Sequence, residues 1–333
     1  MATLKDIAAE VGVSIRTVSR ALGGSGYVRA ELREQILACA ERLGYAPDPV
    51  AQSLRLGYKQ EVVVVSHSVD ELHMARIAGI EARLRESGFA LSVVMASEQE
   101  ITAADALAEV VCRGKPRGVA ILARLGLGVS VLVRAIEARG MPVVVLDTDE
   151  SVPAVRINRP AGVEEAVKHL IGRGRRCIAY VGPSNSIGRI EGYRRALAAA
   201  GGEERMFDPG SPERYRHGVG ELLKRYPRLD AIQAYSDERA LLLLAGLHEL
   251  GVRVPHDVAV VGFDDRWAAQ YAWPPLTTVA QPSEEIGRAA ARYLVGNEAR
   301  RDGALPSDSN DVHDRRRPFE AVVPTRLVVR ESS

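Results

Sequence analysis

The sequence predicts a small all-α helix-turn-helix head followed by an α/β core of two doubly wound parallel-sheet subdomains. Three observations carry this. Residues 3–22 have the spacing of two short helices around a tight turn. From Glu61 onward, short β-branched runs alternate with amphipathic helical stretches, the pattern of parallel sheets covered by helices. These βα units are too many for one compact sheet, so two similar subdomains with a cleft between them are expected.

Within residues 3–22 each key position has a physical reason. Thr3 is placed to cap the first helix, with Asp6 reaching back in a capping box. Ala8 is small enough for a second helix to cross nearby. Gly12 stands where the turn needs a left-handed residue. Ser14 is a cap for the second helix, and Val18 points back at Ile7 and Ala8. This is the motif that lays its second helix in the DNA major groove. The outward residues of that helix are Ser14, Ile15, Arg16, Thr17, Ser19 and Arg20. They suit phosphates and base edges, whereas an ordinary buried hairpin would show a second apolar face.

A loop at 23–27 and a third helix at 30–43 complete the head, with Leu32, Ile36, Ala40 and Leu43 on one face and Gly44 as its stop. Pro47 and Pro49 then flank Asp48, an N-cap followed by a first-turn proline. A short helix can start there and run to Leu54 or Arg55. Alone it is too short to persist in water, so it forms only against a partner.

The core begins with a strand at 61–65, apolar on both faces. Further strands are expected at 90–95, 118–123, 142–147, 177–182, 231–235 and 258–263. Helices are expected at 74–87, 103–112, 129–139, 161–172, 190–199, 216–226, 238–250 and 283–294. Residues 296–318 are polar and charged and read as a solvated loop; residues 321–329 read as a single closing strand. The predicted domains are a head at 1–46, a hinge and linker at 47–60, and a core at 61–333. Within the core, subdomain one takes about 61–158 plus 283–320, and subdomain two about 159–282 plus 321–333.

Composition narrows the function classes. Lys+Arg 44 against Asp+Glu 43 is no polycation, so any DNA affinity must be local and the motif carries that case. Cys39, Cys112 and Cys177 are isolated thiols without metal-ligand spacing, and their odd number fits a reducing cytosol. The first residues do not read as a secretory leader, and no apolar run is long enough for a bilayer, so a cytoplasmic protein with no membrane partner is expected. Gly126-Leu-Gly128 lacks the third glycine of a dinucleotide fingerprint, and the loop from Gly182 to Gly188 lacks the lysine of a phosphate loop. With no catalytic triad or metal cluster, no enzyme, cofactor or metal site is expected.

Four stretches together carry a family resemblance: residues 3–22, Pro49-Val-Ala-Gln-Ser-Leu54, Val260-Val-Gly-Phe-Asp-Asp265, and Pro274-Pro-Leu-Thr-Thr278 with Gln281. In this order they resemble the lactose-repressor (LacI/GalR) family of bacterial transcription regulators, over essentially the whole chain. The resemblance implies a homodimer on a near-palindromic double-stranded operator and a core like periplasmic sugar-binding proteins. It implies base reading by Ile15, Arg16 and Arg20, and a hinge helix with Ala51, Gln52 and Leu54 at the DNA, Leu54 wedged into the minor groove. It also implies a sugar-like effector in the cleft, held by Asp147, Arg189, Ser236, Asp264 and Gln281. His67, His73 and Arg124 are further candidates, and Trp267 and Trp273 flank the site in sequence. Leu72-His73 stands where many relatives carry an aromatic pair, and Ser236-Asp237 where many have Asn beside Asp. These departures bear on which effector binds.

Overall fold

The computed structural model describes residues 2–23, 27–45, 57–123, 127–296 and 318–333. The chain forms two compact units, Met1–Gln60 and Glu61–Ser333. The hinge residues Ala51, Gln52 and Leu54, Arg124, and positions 297–317 lie outside the described residues.

The first unit contains α1 (Leu4–Val11), α2 (Ile15–Gly23) and α3 (Ala30–Arg42). Thr3 and Asp6 close the capping box on α1, and Gly12 ends it in the left-handed conformation at φ 73. Ser14 Oγ accepts from the Thr17 amide at 3.1 Å and so caps α2. Ile7, Ala8, Val18, Ala21, Ile36, Cys39 and Ala40 form a single small core. An ion pair between Arg42 and Glu10 ties α3 to α1 at the surface.

The second unit holds twelve strands among its described residues, in two six-stranded sheets. Strands β1 (Lys59–Ser66), β2 (Ala90–Met95), β3 (Pro116–Leu122), β4 (Val143–Leu146), β5 (Ala154–Ile157) and β11 (Glu320–Val323) make the first, in the order β11-β5-β4-β3-β1-β2. Strands β6 (Ile178–Val181), β7 (Met206–Phe207), β8 (Ala231–Ala234), β9 (Ala259–Asp264), β10 (Thr277–Ala280) and β12 (Arg326–Val328) make the second, in the order β12-β10-β9-β8-β6-β7. Only β12 runs antiparallel to its neighbour among the pairings described. Val62 and Val64 enter one core cluster and Val63 and Val65 another, so β1 is buried on both faces. A third cluster covers the far side of the second sheet.

The helices of this unit are α4 (Glu71–Glu86), α5 (Glu98–Ala103), α6 (Asp105–Cys112), α7 (Ser130–Glu137), α8 (Arg159–Gly172), α9 (Ile187–Ala199), α10 (Arg214–His217), α11 (Val219–Arg225), α12 (Asp237–Glu249) and α13 (Ser283–Val295). Several expectations need correction. The single closing strand is two strands in different sheets, because Pro324 interrupts the ladder and the chain crosses over. The helix expected at 103–112 is preceded by a separate one, started by the Ser97–Glu100 capping box and broken at Ala104, φ 45. The helix at 216–226 divides at Gly218. Strand β5 was not expected, since Arg156 interrupts a short apolar run.

Three segments pass between the sheets: β5 to α8, β10 to α13, and β11 to β12. The helices beside these passages cross closely. A Cβ added at Gly79 of α4 would overlap the Glu284 carbonyl of α13, and one added at Gly287 would overlap the Arg76 carbonyl. Gly192 of α9 similarly meets the Pro160 carbonyl of α8. Backbone stands against backbone, which has no flexible side chain to yield. Gly287→Ala should therefore destabilise the core by about 1–3 kcal/mol, read as a lower thermal midpoint. An unchanged midpoint would mean the helices can separate without penalty.

Candidate functional site: an exposed helix and an ionic cleft

In the head, Val18 is buried beneath α2 while Ser14, Ile15, Arg16 and Arg20 are exposed; Ile15 is 49% exposed. Thr17 and Ser19 are half-buried, and Ser14 Oγ lies 2.8 Å from Thr17 Oγ1. The capping pair therefore faces its own helix start, which leaves the two arginines and Ile15 as the freest groups for a groove.

In the core, the predicted residues gather where strands end, the usual ligand position in open α/β sheets. Asp147 follows β4 at φ 70, and Asp264 closes β9 at φ 117. Left-handed backbone at a non-glycine residue costs free energy and clusters at functional sites. Both side chains are buried, at 4% and 6% exposure.

Asp147 Oδ2 accepts from Arg76 Nη2 at 2.9 Å and from Arg159 Nη2. Arg76 Nη2 also donates to Gln281 Oε1 at 2.9 Å, and Gln281 Nε2 donates to Asp264 Oδ1 at 2.5 Å. Arg189 Nη2 stands 3.7 Å from the same Asp264 oxygen. Its guanidinium lies over the Tyr235 ring at 4.3 Å and the Phe263 ring at 4.4 Å. Arg266 Nε approaches Asp264 Oδ2 at 3.8 Å. One network thus runs from α4 and β4, through both crossover residues Arg159 and Gln281, to β9 and α9.

Burial would push the Asp147 carboxyl up, but the Arg159 and Arg76 charges outweigh it and hold the group below the usual carboxylate range. At Asp264 burial wins over the Arg189 charge and the Gln281 hydrogen bond, and the carboxyl is pushed up. Asp147 Oδ1 and the Nε atoms of Arg76, Arg159 and Arg189 are buried without a hydrogen-bond partner. Such orphaned groups are costly in a finished core and are what a polar ligand satisfies.

Ser236 is buried, but its hydroxyl caps α12, accepting from the Arg239 amide at 3.4 Å. Asp237 beside it accepts from Thr278 Oγ1 at 2.5 Å and from the Arg266 amide at 2.7 Å. His67 Nδ1 lies 3.2 Å from the Leu122 carbonyl oxygen, and His73 Nδ1 lies 2.9 Å from Asp70 Oδ2. The two rings meet edge-on at 4.8 Å. Trp267 and Trp273 are exposed, at 64% and 87%. Sequence reasoning missed Arg76 and Arg159. Arg76 had a signal: it sits on the buried stripe of α4 with His73, Ile77, Ile80 and Leu84, where a charge needs a partner. Arg159 had none, since a first-turn arginine after Asn158 looks like ordinary surface.

A helix-turn-helix head and a core of two parallel sheets, carrying a polar cluster at their facing strand ends, are the parts of a ligand-controlled bacterial transcription regulator. Residues 3–48 match the model for "Bacterial regulatory proteins, lacI family". Residues 167–333 match that for "Periplasmic binding protein-like domain". The HTH-type transcriptional regulator CelR of Thermobifida fusca is 34% identical, over 99% of this chain and 98% of that one. The HTH-type transcriptional regulator GntR of Pseudomonas aeruginosa is 33% identical, over 91% and 92%. The solved transcriptional regulator CelR–cellobiose complex aligns over 100% of both chains, with a TM-score of 0.68 and 30% identity. The chain belongs to the lacI family of bacterial transcriptional regulators. No helix among the described residues is long and apolar enough to cross a membrane.

Asp237 gives this cleft a pH signature. Burial pushes its carboxyl up to about 7, helped by the neighbouring Asp264 and Asp265 charges, against hydrogen bonds from Thr278 and the Arg266 amide. The folded chain keeps a proton that the unfolded chain has released, so its stabilising effect is present below about pH 4 and lost as pH rises through about 7. Asp237→Asn should reduce that dependence, seen as a smaller change in denaturation midpoint between about pH 5 and about pH 8 than in wild type. Parallel midpoints in the two proteins would refute the assignment.

Proposed function

We propose that this regulator is a cytoplasmic homodimeric repressor that binds a near-palindromic double-stranded operator and is controlled by a small sugar-like effector in its core. Ile15, Arg16 and Arg20 read bases, with Ser14, Thr17 and Ser19 at the backbone. Ala51, Gln52 and Leu54 contact the operator. Asp147, Arg189, Asp264 and Gln281 hold the effector, joined by Arg76 and Arg159; Ser236 serves at its edge. The observation that carries this reading is the network from Asp147 to Asp264, which links both sheets through residues of two crossovers. A polyhydroxylated ligand exchanging hydrogen bonds with these groups favours one relative setting of the subdomains. That differential contact is what lets a small molecule bias DNA binding. A relative supports the same reading, since the solved CelR structure is a complex with cellobiose. Ligand binding is taken to release the operator.

Arg16→Ala should weaken the specific operator complex by about 1–3 kcal/mol and relax one base position. Binding titrations on specific and non-specific DNA check it: equal weakening on both makes Arg16 a phosphate contact.

Arg189→Ala should bind operator like wild type yet ignore effector at concentrations that act on wild type. Each lost charged hydrogen bond is worth roughly 1.5–3 kcal/mol. A mutant that melts normally and still responds at the wild-type concentration removes Arg189 from the site.

A further inference from the structure

The cleft holds more positive than negative charge. Arg76, Arg159 and Arg189 are exposed by only 4%, 7% and 5%, against Asp147 at 4% and Asp264 at 6%. Two of these arginines share one oxygen of Asp147, while Asp147 Oδ1 and all three arginine Nε atoms lack partners. Arg189 has its nearest carboxylate at 3.7 Å, and that oxygen already accepts from Gln281. The remaining groups do not restore the balance. Asp264 is shifted towards its neutral form by burial, and Asp237 is bound up with Thr278 and the Arg266 amide. Asp149, the other acid acting on Arg159, is exposed. Arg266, 3.8 Å from Asp264, also faces Glu238 at 3.9 Å, and Asp265 is paired with Arg330 at 2.7 Å, so these groups leave the balance as it stands.

A buried charge in excess is costly unless something neutralises it. The Arg189 guanidinium, 4.3 Å from the Tyr235 ring and 4.4 Å from the Phe263 ring, is restrained by both contacts, and its fork suits a planar or tetrahedral oxyanion. His73, one helical step from Arg76, also has a buried ring nitrogen, Nε2, with no partner, which fits a hydroxyl group. Resting on the reading of the cleft as the effector site, we infer that the effector is an anion: a polyhydroxylated carboxylate or phosphate monoester, its charged group taken between Arg159 and Arg189. A neutral sugar would leave the excess charge uncompensated.

The test uses the full chain and matched ligands: gluconate, glucuronate and glucose 6-phosphate, the same acid and phosphate derivatives of galactose and ribose, and each neutral parent sugar. Thermal midpoints and operator binding are measured with each. At least one anion should raise the midpoint and shift operator binding at a concentration tenfold or more below that of its neutral parent. Carboxylates acting alone, or phosphates acting alone, identify which oxyanion the arginines take. Arg159→Gln should raise the required concentration more than tenfold, with Arg159→Lys intermediate. Should Arg159→Gln fail to fold, the same point is read in wild type, where raised sodium chloride should weaken the anion's effect. A neutral sugar matching its anion in both assays overturns the inference while leaving a sugar-controlled repressor intact. Silence from every pair, with operator binding intact, overturns it together with the sugar-effector reading.

Discussion

The two-armed grip on Asp147 is the constraint on which the core's arrangement turns. A carboxylate at 4% exposure is tolerated only if cations reach it. Those cations come from different parts of the fold: Arg76 from the middle of α4, Arg159 from the first turn of α8. The charge therefore fixes a distance between a helix of the first subdomain and the start of the second. Gln281 extends the fixation, because its amide donates to Asp264 and accepts from Arg76 at once. An amide does both without adding charge, which suits a position between an arginine and an aspartate.

The glycine contacts explain how these side chains reach one another. Gly79 and Gly287 bring α4 and α13 backbone to backbone, and Arg76 lies on that seam, its carbonyl touching the Gly287 position. On the other side, Gly192 lets α9 lie against Pro160, one residue after Arg159. The arginines are thus carried by close-packed helix pairs whose spacing cannot drift. Rigid supports of this kind keep a binding constellation in register.

Much of this was legible in the residues, for physical reasons that differ by element. The capping box, Gly12 and Val18 are local devices, so residues 3–22 could be read without knowing the rest. The buried strands announced themselves by β-branched runs. Asp147 and Asp264 were found through a resemblance, and their left-handed backbone is invisible in sequence. The network partners could not be foreseen in full. Arg159 is 12 residues from Asp147 and Gln281 is 205 from Arg76, so their meeting depends on how the sheets are threaded. Strand β5 escaped because four residues containing an arginine give no periodicity. The split of the closing strand escaped for a similar reason, although Pro324 offered a clue.

The three passages between the sheets also bear on how the chain is made. Neither sheet is drawn from one continuous stretch: β11, an edge of the first sheet, and α13, which covers β3, β4 and β5, follow the strands of most of the second. During translation the ribosome therefore delivers the first five strands well before their last neighbour and cover. In that interval one apolar face, with Val62, Val64, Ala120 and Val144, lacks its final helix. Nascent chains with such exposed faces are what holding chaperones bind. The second sheet waits less, lacking only its antiparallel edge β12 once β10 has emerged. The order of threading thus leaves the earlier-synthesised subdomain waiting longest for its cover, although β12 closes the second sheet last of all.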